Sequence, residues 1–316
     1  MIREPLVFSP IYRTRVWGGR RLADSLGRAL PSAEPIGESW EIVDRPEAQS
    51  RVAFGEHQGK TLRELIEKEN VMGPKWPRDR RFPLLVKWLD CEERLSLQVH
   101  PPASVAPLLG GEPKTENWYV AEVSPAAGLL VGFRPGVDRD AFAAALRAKR
   151  VETCVNRLAV KPEDSLLVRS GQVHAIDAGC LILEIQQNSD TTYRVDDWGR
   201  LGLDGKPREL HIAESLASMS WNSDPISLVE TAEVIGPIAE CPEFRILRHV
   251  VEPGGRLDLE AGSDARIVSV VRGALSYGNR VAARGDNLVV GIDVNVSFST
   301  SGGAVVLITE NFALSR

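Results

Sequence analysis

The sequence predicts a mainly β chain with a few short helices, arranged as two jelly-roll barrels, and three observations carry that prediction. From Cys241 onward the pattern is all strand: short apolar runs at 244–251, 255–259, 265–271, 273–278, 287–290, 294–299 and 304–309, separated by Gly and Asp. Short strands at such spacing build a small barrel or jelly roll. Residues 164–200 repeat the style, with an apolar strand at Leu166-Leu167-Val168, a turn at Arg169-Ser170-Gly171, a returning strand at 173–176 and a third at 180–185. Finally, Asp286-Asn287-Leu288-Val289-Val290-Gly291 echoes Asp164-Ser165-Leu166-Leu167-Val168-Arg169. Two related copies of one unit are expected from that echo. It sets Val296 where the first copy has His174, so the second copy keeps the strands and lacks the histidine.

A length of 316 residues suits two medium domains, expected here at 1–225 and 226–316. No apolar run approaches the roughly 20 residues of a membrane helix. The start MIREPLVFSP has no signal-peptide apolar region, so a cytoplasmic protein is expected. Cys91, Cys154, Cys180 and Cys241 are widely spaced with no C-x-x-C pair, which predicts reduced, mostly buried thiols. The net charge of -5, with no basic block beyond the mixed Pro77-Arg78-Asp79-Arg80-Arg81, argues against a nucleic-acid partner.

The first 60 residues alternate turn formers with short extended pieces at 13–16 and 38–43. Trp17, beside Gly18-Gly19, and Trp40 either floor a sugar site or simply pack. The run at 61–70 places Leu62, Leu65 and Ile66 at helical spacing and predicts a short amphipathic helix. A buried strand at 82–90 carries one lysine, Lys87, which either snorkels to a rim or pairs inside.

Strict alternation follows at 94–100. Leu95, Leu97 and Val99 face one way; Arg94, Ser96, Gln98 and His100 face the other. The strand after Gly110-Gly111 puts Lys114 and Glu116 on one face. Past the turn at 169–171 comes His174, placed to point into a barrel mouth. Glu184, in the apolar run that follows, is either a solvated edge residue or a paired interior one. A polar string then holds Gln186, Gln187, Asn188, Ser189, Asp190, Tyr193 and Arg194. Two imidazoles and a carboxylate, His100, Glu116 and His174, with Gln98 as an optional fourth donor, suit zinc or a similar transition metal with an open position. Spacing alone does not bring three strands to one point.

The sequence resembles the type I mannose-6-phosphate isomerases, or phosphomannose isomerases, zinc enzymes of the cupin superfamily. The matching motifs are Gly37-Glu38-Ser39-Trp40-Glu41, Leu97-Gln98-Val99-His100-Pro101, Lys114-Thr115-Glu116 with Trp118-Tyr119, Gly171-x-x-His174-Ala175, and Glu184-Ile185-Gln186-Gln187-x-Ser189-Asp190-x-Thr192-Tyr193-Arg194. The resemblance implies two cupin barrels and one zinc per chain, held by Gln98, His100, Glu116 and His174. It marks Arg194 as the active-site arginine and Lys114, Asp190 and Glu184 as acid–base candidates. About 40 residues separate Val123 from Asp164, with one helix at 137–150, where long family members carry a larger helical insertion. The chain is thus similar to the short bacterial form.

The implied reaction interconverts mannose 6-phosphate and fructose 6-phosphate by proton transfer through a cis-enediol. A dication beside the sugar oxygens stabilises the developing charge, and a guanidinium adds a cation that stays protonated. A neighbouring metal is expected to lower the Lys114 pKa and make it a candidate base; whether Lys114 or a carboxylate moves the carbon-bound proton is open. The rival reading is a non-catalytic, sugar-binding or regulatory cupin with a structural metal. The expected partner is a small sugar phosphate, with no nucleic acid or membrane; the chain associates as a monomer or a dimer. His211 is read as a helix-face residue at the start of a helix over 211–218.

Overall fold

The computed structural model describes residues 2–125, 127–221, 225–231 and 234–312. Among them the chain is mainly β, with antiparallel sheets and four α-helices. No described helix is long and apolar enough to cross a membrane. The chain divides into two compact units. One comprises Met1–Ile11, Ser39–Lys87 and Glu230–Arg316, the other Tyr12–Glu38 and Trp88–Val229. The expected boundary at 225/226 lies near the break at 229/230. Segments 1–11 and 39–87, placed by the sequence reading with the first domain, group instead with the C-terminal residues.

The unit that carries the candidate site is a sandwich of two antiparallel sheets. A five-stranded sheet runs Val155–Ala159, Gly128–Phe133, His174–Ile176, Leu97–Val99, Tyr193–Asp196. The facing sheet contains Ser227–Val229, Ser165–Val168, Glu116–Val123 and Cys180–Gln187, followed by Leu84–Cys91, Ile36–Ile42 and Ile11–Gly19, which join this unit through residues 88–91, 36–38 and 12–19. Val131 and Ile176 from the first sheet pack on Trp118, Leu166, Ile182 and Trp17 from the second. Each fully buried aliphatic side chain in such a layer contributes about 1.5–3 kcal/mol.

Period-2 alternation sends Leu97, Val99, Leu130 and Ala175 to the outer face of the five-stranded sheet, where helix Arg139–Arg147 covers them with Phe142. The same alternation leaves Gln98 and His174 on the inner face. The helix is shorter than the 137–150 expected because Asp138 caps it, its carboxylate accepting the Ala141 N–H at 2.8 Å.

In the other unit, helix Leu62–Lys68 opens with a capping box between Thr61 and Glu64 and buries Leu62, Leu65 and Ile66. Its sheet runs Leu6–Val7, Asn287–Val290, Arg266–Tyr277, Ala304–Glu310, Arg245–Val251, Gly236–Glu240. The expected pair of strands at 265–271 and 273–278 is one strand, Arg266–Tyr277, bent at a bulge between Val270 and Arg272. Gly273, at φ +73°, permits the bend; a Cβ there would lie 2.1 Å from the Gly303 carbonyl oxygen. The sequence from Asn222 to Glu240, broken by Pro225 and Pro237, reads as a crossover between domains; Gly236–Glu240 is instead a strand, and Asn222 lies outside the described residues.

Lys87 is buried, with its ammonium 5.2 Å from the centre of the Trp40 ring. Trp40 and Trp17 are both buried in core clusters, which decides for packing over a sugar floor. All four cysteines are free thiols, and Cys91, Cys154 and Cys180 are buried.

Candidate metal centre

The two sheets of the sandwich contribute opposite halves of one polar cluster. His174 pairs in register with Gln98, and Gln98 with Arg194, so three residues on adjacent strands form a row across the inner face. From the facing sheet, Glu116 pairs with Gln186, and Glu184 with Trp118. His100 follows the strand Leu97–Val99 directly.

His100, Glu116 and His174 are fully buried, and one ligand atom from each lies within 4.8 Å of the others. The Nε2 atoms of His100 and His174 stand 3.5 and 3.4 Å from the two Glu116 oxygens, and the rings are 4.7 Å apart. Local backbone decides the tautomers. His100 Nδ1 donates to the Thr191 carbonyl at 2.8 Å, and His174 Nδ1 donates to the Gln172 carbonyl at 2.8 Å. A carbonyl can only accept, so each Nδ1 carries the proton and each neutral ring turns its Nε2 lone pair inward. Burial, followed for His100 by the Lys114 charge, holds both imidazole pKa values below their ordinary value.

Glu116 is ionised. Burial is the largest single influence and opposes its charge, but the Lys114 charge, together with His174 and the hydrogen bonds from Lys114 and Glu184, lowers the carboxyl pKa below its ordinary value. Two neutral nitrogens with inward lone pairs and one buried carboxylate are a donor set that fits a divalent transition metal. The Gln98 Nε2 donates to His174 Nε2 at 3.3 Å, adjacent to the same set, and the Gln98 Oε1 accepts from Ser96 Oγ at 3.3 Å.

Lys114 lies inside the cluster. Its Nζ is 2.5 Å from Glu116 Oε2, 3.2 Å from His100 Nε2 and 3.6 Å from Glu184 Oε1. The expected lowering of its pKa depends on a metal's charge; the protein's own groups act on the ammonium in the opposite direction. Burial pulls it down, but the Glu116 and Glu184 charges prevail and raise it. Glu184 is the paired interior residue of the two alternatives, buried and accepting the Trp118 indole N–H at 3.1 Å.

Asp190 is exposed, and its charge acts on Lys114 and on Arg15, whose guanidinium grips Glu38 at 3.1 and 3.0 Å. Arg194 shares the row of Gln98 and His174, and its guanidinium donates to the Glu209 carbonyl at 2.7 Å. His211 sits at the N-terminus of helix Ile212–Ser218, where its Nδ1 accepts the Arg194 backbone N–H at 3.2 Å.

Sequence reasoning missed the supports. Besides the two carbonyls, Gln187 Oε1 accepts the Thr115 N–H at 2.8 Å, Thr191 Oγ1 accepts the Glu112 N–H at 3.0 Å, and Gln186 Nε2 donates to the Ser189 carbonyl at 2.6 Å. Much of the polar string therefore clamps the segment bearing Lys114 and Glu116. Gly171, at φ +90°, shapes the turn before His174 and donates its N–H to the His100 carbonyl at 2.8 Å.

A family model described as phosphomannose isomerase type I, catalytic domain, matches residues 6–122, a span that holds Gln98, His100, Lys114 and Glu116. The chain is 39% identical over 227 residues to the mannose-6-phosphate isomerase ManA of Bacillus subtilis, covering 71% of each chain. It is 32% identical over 297 residues to the mannose-6-phosphate isomerase of Streptococcus mutans, covering 91% of this chain and 92% of that one. Among solved structures, the mannose 6-phosphate isomerase from Bacillus subtilis matches with a TM-score of 0.83 at 29% identity, covering 98% of this chain and all of the other. A mutant phosphomannose isomerase from Salmonella typhimurium matches at 0.70 with 17% identity, covering 96% and 98%, a likeness of fold alone.

Proposed function

Because the chain belongs to the type I phosphomannose isomerase family, we propose that it interconverts mannose 6-phosphate and fructose 6-phosphate with one zinc ion per chain. The observation that carries the metal half of this reading is the buried triangle of His100, Glu116 and His174 with both Nε2 lone pairs turned inward. Gln98 is the fourth proposed ligand, its amide turned over from the orientation in which Nε2 faces His174 so that the oxygen meets the ion. When bound, the ion would supply a positive charge for the oxygens on which negative charge gathers during enolisation.

The other proposed roles belong to this chain's own side chains. Arg194, in the row of Gln98 and His174, orients the open-chain sugar and adds a permanent cation. Lys114, between Glu116 and Glu184, is placed to move a proton between C1 and C2 through a cis-enediol. Glu184 and Asp190, the carboxylates whose charges act on that ammonium, are its partners in proton traffic and in ring opening. Burial of the cluster keeps bulk water from the reacting carbons. A lysine and a second carboxylate inside the ligand set disfavour a metal kept only as a structural pin.

The test is a coupled assay in both directions with mannose 6-phosphate and fructose 6-phosphate, with metal analysis of the same preparation. Turnover with deuterium incorporated at C2 from solvent is expected. Protein that carries a divalent ion yet leaves both sugars unchanged would sink the catalytic reading.

A further inference from the structure

The Lys114 ammonium makes its close contacts with the same atoms that the proposed metal requires. Its Nζ lies 2.5 Å from Glu116 Oε2 and 3.2 Å from the unprotonated Nε2 of His100. Glu116 and His100 cannot give these lone pairs to a dication while they hold an ammonium between them. A buried carboxylate with no cation beside it is strongly disfavoured, and so is a dication pressed against an ammonium in a dry site. One cation suits the triangle; two do not.

The exchange has a ready destination. Glu184 Oε1 stands 3.6 Å from the same Nζ, held in place by the Trp118 indole N–H, and the Asp190 charge also acts on this ammonium. A small swing of the side chain takes Lys114 from Glu116 to Glu184 without exposing its charge to apolar surroundings. Lysine suits this role, being a point charge on a flexible stem.

We infer that Lys114 is a built-in surrogate cation: it fills the Glu116–His100 position when the metal is away, and metal entry drives it onto Glu184. This rests on the metal-centre reading above and extends it, since loading would then set the proton-carrying side chain in its working position. Ion binding and Lys114 placement become one coupled equilibrium, and each shifts the other by the same factor.

The experiment titrates Zn2+ into chelator-stripped full-length protein, using wild type, Lys114→Met and Glu184→Gln, and follows binding by calorimetry and stability by melting. Lys114→Met removes the competitor, so zinc affinity should rise about tenfold or more while the melting temperature of the stripped variant falls. Glu184→Gln removes the alternative seat, so zinc affinity should fall several-fold. Crystal structures of stripped and zinc-loaded wild type should show Nζ moving from Glu116 to Glu184. Unchanged or weaker zinc binding in Lys114→Met, or a loaded structure with Nζ still on Glu116 and His100, would overturn the inference. Wild type that takes up no divalent ion would instead fail the metal reading itself. Should stripped Lys114→Met not fold, Glu184→Gln and the two wild-type structures still decide the matter.

Discussion

The Thr191 carbonyl accepts the Nδ1 proton of His100 at 2.8 Å, and that single hydrogen bond determines which nitrogen of the ring faces the cluster. The Thr191 hydroxyl oxygen anchors the loop by accepting the Glu112 N–H at 3.0 Å. Thr191→Val keeps the side-chain shape and loses the anchor. Groups that orient a ligating histidine typically control metal affinity by 10–100-fold, so about a tenfold weaker zinc affinity is expected. Chelator competition measures it, and Thr191→Ser should restore the wild-type value.

Metal removal separates the cluster's two duties. Dialysis against a chelator should abolish isomerase turnover, and added Zn2+ should return it. His174→Ala removes an Nε2 that faces Glu116 at 3.4 Å. Its metal content should drop to a small fraction of an ion per chain, with turnover reduced about a thousandfold or more. Elemental analysis beside the assay reads both.

Arg194 lies in the Gln98 row, is not one of the proposed metal ligands, and its guanidinium is steadied by the Glu209 carbonyl. Arg194→Ala should therefore keep its metal and lose about 10²- to 10³-fold in kcat, the scale of a removed charge-stabilising donor. Arg194→Lys should recover only part of the loss, because an ammonium lacks the planar fork.

Asp90 supplies a stability change with pH that is separate from the metal cluster. Burial is the largest influence on its carboxyl and raises the pKa from 3.8 to about 6, against the lowering effect of the Arg21 and Leu22 N–H groups that it accepts. A carboxyl pKa raised on folding favours the folded state below about 4, and that advantage disappears as pH rises through about 6. Asp90→Asn keeps an acceptor for the Arg21 N–H and cannot titrate. From pH 7.5 down to 5, wild type should gain stability relative to this variant, by at most about 1.4 kcal/mol. Urea unfolding of both proteins across that range checks the sign.

Much of the fold was legible because its signals are local. Alternation at Leu97-Gln98-Val99 needs only the pleat to send one side chain inward and two outward. Thr61 and Glu64 announce their helix by a hydrogen-bond pattern closed within four residues. The bent strand Arg266–Tyr277 read as two pieces because Gly273 is an ordinary turn signal, and only its place beside Gly303 makes it a bend.

The candidate site divides in the same way. Residue types alone pointed to His100, Glu116 and His174 as a set that suits a metal, while the motif resemblance implied that Lys114, Glu184 and Arg194 belong to the same chemistry. Tertiary structure alone decided that the three donors meet, that backbone carbonyls of Thr191 and Gln172 choose the histidine tautomers, and that the Lys114 ammonium rests on Glu116. The physical reason is that a side chain's chemistry is carried by its own atoms. A lone pair's direction and an ammonium's charge balance are set by neighbours far away in the chain, and every residue carries the same carbonyl.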